Sequence, residues 1–154
     1  MKMFVAESVL SNAHISRAMT GIQLVNSSLL LRNCTVDFSG GVQLTGSGPI
    51  SLTVVQSSLS TRFGNGIDAS LHDFDLSVIN SRLTSYDMVA DIRCSELLNV
   101  HVINSTLETP TRDVAIKIGG NVTRATVAVE STTFTGRVQL DDFTSDLRSL
   151  VRLF

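Results

Sequence analysis

The sequence predicts an all-β chain: a right-handed, single-stranded parallel β-helix of about six coils, closed by a C-terminal amphipathic helix. Three features predict it. An eight-residue pattern recurs six times, a short apolar–polar–apolar triplet recurs between its copies, and an amide or its substitute holds one fixed column of the alignment.

The pattern is clearest in Leu52-Thr-Val-Val-Gln-Ser-Ser-Leu59, Leu76-Ser-Val-Ile-Asn-Ser-Arg-Leu83 and Val100-His-Val-Ile-Asn-Ser-Thr-Leu107. Leu29 to Val36 fits upstream, Val127 to Phe134 fits downstream, and Ser8 to Ile15 is a degenerate first copy. The closing apolar residues fall at 15, 36, 59, 83, 107 and 134, spaced by 21, 23, 24, 24 and 27. Self-similarity at such a period marks a solenoid, in which each repeat buries its apolar face only by stacking on its neighbours.

The triplets are Ile22-Gln-Leu24, Val42-Gln-Leu44, Ile67-Asp-Ala69, Ala90-Asp-Ile92, Ile116-Lys-Ile118 and Val138-Gln-Leu140. Alternation of period two means a strand with one buried face. Each repeat therefore holds a first strand, a loop, a second strand such as Leu76-Ser-Val78, an amide turn and a short third strand. Three such strands cannot pair inside one repeat, so each must pair in parallel with its counterpart one coil on. Parallel crossovers are overwhelmingly right-handed. At about 4.8 Å per coil the stack would stand roughly 29 Å tall.

Asn12, Asn33, Gln56, Asn80, Asn104 and Ser131 share the amide column, and a small residue follows each one. Asn tolerates the left-handed backbone of a tight corner better than other non-glycine residues. This column resembles the asparagine ladder of pectate-lyase-like β-helices, and the resemblance covers about residues 8–140. It implies a fold shared by pectate lyases, polygalacturonases, phage tailspikes and bacterial surface proteins. It implies no single activity.

Beyond the coils (about 1–140), Phe143, Leu147, Leu150, Val151 and Phe154 fall at helical spacing, with acidic residues leading and Arg148 and Arg152 following. A helix over about 141–154 is expected to cap the last coil, since a solenoid end leaves a strand edge unpaired. The whole of 1–154 reads as one domain.

Composition bounds the function. Charged residues make up 17% and net charge is −2, with no basic cluster, so phosphate-driven nucleic-acid binding is not expected. No apolar run approaches the roughly 18 residues that span a bilayer. Glu7 interrupts any signal-like apolar stretch at the start, and the compartment is left open. Cys34 and Cys94 align to different parts of the coil and are expected as free thiols. Nothing in the pattern calls for a cofactor.

Asp68 and Asp91 are the candidate catalytic pair. Each is the outward middle residue of a first strand on successive coils, and in polygalacturonase-like enzymes the resemblance places catalytic Asp residues on this column. Close carboxylates raise one another's pKa and suit acid–base work on glycosides. Gln43 and Lys117 fill the same column, however, so an ordinary polar ladder also accounts for the positions, and the polygalacturonase Asn-Thr-Asp and Gly-His-Gly motifs are missing. His72, Asp73 and Asp75 are candidate metal ligands in the loop between first and second strands. Val55, Ile79 and Ile103 should stack as an outward apolar stripe beside the amide turn, the kind of patch that marks an interface.

The leading expectation is a non-enzymatic solenoid acting as a structural or interaction module. It would bind a protein partner, associate with itself, or form part of a larger fibre or surface assembly. The alternative is a glycan-binding or polysaccharide-cleaving domain that uses the outward first-strand face.

Overall fold

The computed structural model describes residues 6–18, 21–38, 40–141 and 150–153. These form β1 (Ala6–Ser11), β2 (His14–Ala18), β3 (Gln23–Val25), β4 (Ser27–Arg32), β5 (Thr35–Phe38), β6 (Val42–Val55), β7 (Ser58–Thr61), β8 (Ile67–Ile79), β9 (Arg82–Ser85), β10 (Ala90–Ile103), β11 (Thr106–Glu108), β12 (Val114–Gly119), β13 (Arg124–Glu130), β14 (Thr133–Phe134), β15 (Arg137–Leu140) and β16 (Leu150–Leu153). The described residues contain no helix, and hence none long and apolar enough to cross a membrane.

Strands pair in parallel with their counterparts one coil on. One sheet runs β1-β4-β6-β8-β10-β12-β15, with β3 beside β6 and with β13 pairing both β10 and β16. The second runs β14-β11-β9-β7-β5-β2. Together they make a parallel β-solenoid of about five turns, because six levels of corner bound five complete circuits.

The repeat alignment becomes register. Ile15, Val36, Leu59, Leu83, Leu107 and Phe134, the six closing residues, are direct neighbours along the second sheet. Leu31, Val54, Val78 and Val102 form a core column of the other sheet, each at most 1% exposed. Burying such side chains contributes about 1.5–3 kcal/mol apiece, and this shared interior is what joins the coils. Phe74 is the largest fully buried side chain among the described residues.

Two expectations need correction. First, the middle coils have no loop between first and second strands. β6, β8 and β10 run through the bend as single strands, and their pairing slips between Gly46 and Pro49 and between Cys94 and Leu97. An extra residue at such a bulge turns the strand while pairing resumes beyond it. His72-Asp73-Phe74-Asp75 therefore lies inside β8. Inward–outward alternation breaks there, His72 being exposed and Asp73 half-buried, before Phe74 turns inward.

Second, Leu150–Leu153 is a strand rather than part of a helix, parallel to β13 in the register Thr126↔Leu150 to Val129↔Leu153. The edge of β13 supplies the backbone partners of this strand. The rest of the expected cap, residues 142–149 and 154, lies outside the described residues.

The corners between second and third strands explain the amide column. Asn12, Asn33, Gln56, Asn80, Asn104 and Ser131 all have positive φ, between 46° and 55°. Asn33 Nδ2 donates to Asn12 Oδ1 and Asn104 Nδ2 to Asn80 Oδ1, both at 2.7 Å. The amides face solvent; the buried ladder is made by the next residue. Ser57 Oγ accepts the Cys34 N–H, Ser81 Oγ the Ser57 N–H and Ser105 Oγ the Ser81 N–H, at 3.0–3.1 Å. Each hydroxyl in turn donates to the carbonyl two residues before it, at 2.7–2.8 Å. A hydroxyl at this corner thus satisfies a buried donor one coil back.

At the corner before the first strand the coils approach closely. A Cβ on Gly41 would collide with the carbonyl oxygens of Asn65 and Gly66, so only glycine fits. Cys34 and Cys94 are buried free thiols.

Candidate functional site

Three outward surfaces carry the sequence-predicted residues. On the first-strand face, Gln23, Gln43, Asp68, Asp91, Lys117 and Gln139 form one in-register column. The expected neighbours Asp68 and Asp91 are brought together on adjacent strands. Burial pushes the Asp68 carboxyl above its ordinary value, the Asp91 charge pushes it further, and Arg93 opposes both.

Lys117 is paired with Asp141. Its Nζ lies 3.0 Å from Asp141 Oδ2, and Gln139 Nε2 donates to Asp141 Oδ1 at 2.7 Å. The Gln139 hydrogen bond, then that of Lys117, holds the Asp141 carboxyl below its ordinary range. Asp91, Arg93, Lys117 and Asp141 line an open depression of about 430 Å³. At the other end of the column, Gln23 Nε2 donates to Gln43 Oε1 at 3.0 Å. Arg93 and Asp141 escaped the sequence reading; Arg93 was within reach of it, two residues beyond Asp91 on the same outward face.

At the bend of β8, His72 sits between two carboxylates. Its Nδ1 is 3.4 Å from Asp73 Oδ1 and its Nε2 is 3.2 Å from Glu96 Oε2. Asp73 Oδ1 is oriented by the Leu97 N–H at 3.2 Å. One ligand atom from each of His72, Asp73 and Glu96 lies within 4.8 Å of the others, a nitrogen-and-oxygen set that could hold zinc. Asp75 is not in this group; it faces out farther along β8, with Ser77 Oγ 3.5 Å away. Glu96 takes the place expected for it. The signal was available, because Glu96 lies one 24-residue spacing from His72.

On the outer face of the second strand, Arg32, Val55, Ile79, Ile103 and Glu130 are successive neighbours across β4, β6, β8, β10 and β13. The apolar stripe is therefore continuous. Each of its three members is half-buried, covered above and below by the next coil and open outward. Arg32 and Glu130 are exposed at its two ends, and neither forms a salt bridge among the described residues.

Among the described residues, the most exposed aromatic side chains are Phe63 (69%) and Tyr86 (50%), which the repeat alignment does not pair. They occupy the turns before β8 and β10, and the Asp87 N–H donates to the Gly64 carbonyl at 3.2 Å between those turns. The two rings thus stand on successive coils at the corner leading into the Asp68–Asp91 face.

No family model, curated protein or solved structure matches the chain.

Proposed function

We propose that this chain is a pectate-lyase-like β-helix that works as a non-enzymatic interaction module. It engages a protein partner, or another copy of itself, through the outer face of β6, β8 and β10. The observation that carries this is the Val55–Ile79–Ile103 stripe. Three β-branched side chains stack in register on a surface position, each left open on its outward side. A solenoid repeats any outward choice once per coil, so an apolar choice repeated three times builds a patch that water covers poorly.

The test is a contrast of two faces. Ile79→Lys should abolish self-association or partner capture while leaving the β signal and melting temperature nearly unchanged. Asp68→Asn combined with Asp91→Asn should leave association intact. An Ile79→Lys protein that is folded and associates normally overturns the reading.

A second reading, glycan binding on the first-strand face, is favoured by Phe63 and Tyr86. Exposed rings on successive coils offer stacking platforms beside the polar column of Gln43, Asp68 and Asp91. In that case Phe63→Ala with Tyr86→Ala would eliminate retention on immobilised polysaccharide, and Ile79→Lys would not.

A further inference from the structure

We infer that the partner of this face is a second copy of the chain, packed with its coil axis antiparallel to the first. The inference rests on reading the stripe as an interface and adds who binds it and in which orientation.

The argument comes from the ends of the stripe. Along the coil axis the column reads Arg32, Val55, Ile79, Ile103, Glu130, with Ile79 at its middle level. It is cationic at one end, anionic at the other and apolar between. A two-fold axis along the strand direction at the level of Ile79 sets Ile79 against its own copy and Val55 against Ile103. The same operation brings Arg32 of each copy onto Glu130 of the other. The alternative two-fold axis, along the coil axis, opposes Arg32 to Arg32 and Glu130 to Glu130. Charge therefore selects the antiparallel arrangement, and both charged groups are exposed and without an ion pair among the described residues. Closed two-fold pairing of one self-complementary patch is also the commonest form of self-association.

The adjacent outward column presents little that would resist contact. Leu30, Thr53, Ser77, His101 and Ala128 align there, one residue removed from the stripe's neighbours. The single like-charge meeting is Asp75 with its own copy, about 13 Å along the strand from Ile79 at the rim of the contact. Four coil spacings by seven strand residues give a face of roughly 400 Å² per copy. Stable interfaces bury about 800 Å² per partner, so the pair should be a weak, concentration-dependent dimer.

Sedimentation velocity over a concentration series at low salt tests this. Arg32→Glu alone turns both cross-pairs into Glu–Glu contacts, and Glu130→Arg alone turns both into Arg–Arg contacts. Each should weaken dimerisation by about fivefold to thirtyfold, from surface-pair energies. The double variant Arg32→Glu with Glu130→Arg should recover it. An equimolar mixture of the two single variants should also recover it, as a heterodimer with both pairs matched. Asp75→Asn should tighten it. Unchanged melting temperatures would show that the single variants are folded. If Ile79→Lys abolishes dimerisation but the charge variants have no effect, the antiparallel pairing is wrong and the interface reading stands. If the mixture fails to recover what each single variant lost, the pairing is likewise wrong. If the wild-type chain is monomeric at every concentration, this inference falls, and capture of another protein through Ile79 is what would still support the broader reading.

Discussion

Replacing Ser81 by Ala removes one hydroxyl from a residue that is 6% exposed, and the structure shows what each lost contact was doing. Ser81 Oγ accepts the Ser57 N–H at 3.1 Å, lies 3.3 Å from the Val54 carbonyl oxygen and donates at 2.8 Å to the Ile79 carbonyl. The carbonyl is only weakened, since the Gln56 N–H also donates to it at 3.0 Å. The Ser57 N–H, itself buried, is left with no acceptor. An orphaned buried donor costs about 1–3 kcal/mol and a net hydrogen bond about 1 kcal/mol, so the loss should be about 2–3 kcal/mol. For a chain of this size that lowers the melting temperature by roughly 5–10 °C. Asn80→Ala, one residue away, removes a solvent-exposed amide acceptor and places Ala at a φ of 50°, for about 1 kcal/mol. Thermal melts and urea titrations of both variants, with the half-buried Ser58→Ala as control, decide the matter. A Ser81→Ala protein as stable as Ser58→Ala, or more stable than Asn80→Ala, would refute the idea that the corner is held by its buried hydroxyls.

Gln56 interrupts the amide ladder at a φ of 49°, so Gln56→Asn should stabilise the chain by about 0.5–1 kcal/mol in urea titrations, by completing the stack and suiting the left-handed backbone. Asp68 has a folded pKa raised above its ordinary 3.8, so its contribution is fully present below that value and is lost as pH rises through the folded pKa. Asp68→Asn should therefore raise the melting temperature at pH 7 and leave it unchanged near pH 3, which thermal melts at the two pH values check. Gly41→Ala forces a Cβ into the carbonyls of the next coil and should cost about 3 kcal/mol, measured as a shift of the urea midpoint.

What the sequence disclosed was whatever repeats. Aligning Leu59, Leu83 and Leu107 yields true neighbours because a parallel stack in register maps one spacing in sequence onto one step in space. The Gln43–Asp68–Asp91–Lys117 column and the Val55–Ile79–Ile103 stripe followed for the same reason. What stayed hidden depends on how a backbone bends. The merging of first and second strands in β8 leaves only a slip in alternation at His72 and Asp73, and that slip resembles the polar composition of a loop. The bend then set Glu96, not Asp75, beside His72. The small residues after the amides were legible as a demand for size, whereas their hydroxyls turn out to be acceptors. Leu150–Leu153 carries apolar spacing that either a helix or a strand can use, and the edge of β13 decides for the strand.

The equal spacing of three corners has a consequence for how such a chain can change length. Gln56, Asn80 and Asn104 are 24 residues apart and occupy equivalent backbone positions. Excising residues 57–80 would join one corner to the next with every column still aligned, and duplicating the same stretch would insert a level that fits. A typical globular core has no cut of this sort, because its elements meet partners from distant parts of the chain. Here the rod grows or shrinks in whole steps of one turn, and genetic recombination within the repeats can alter its reach without first destroying its fold.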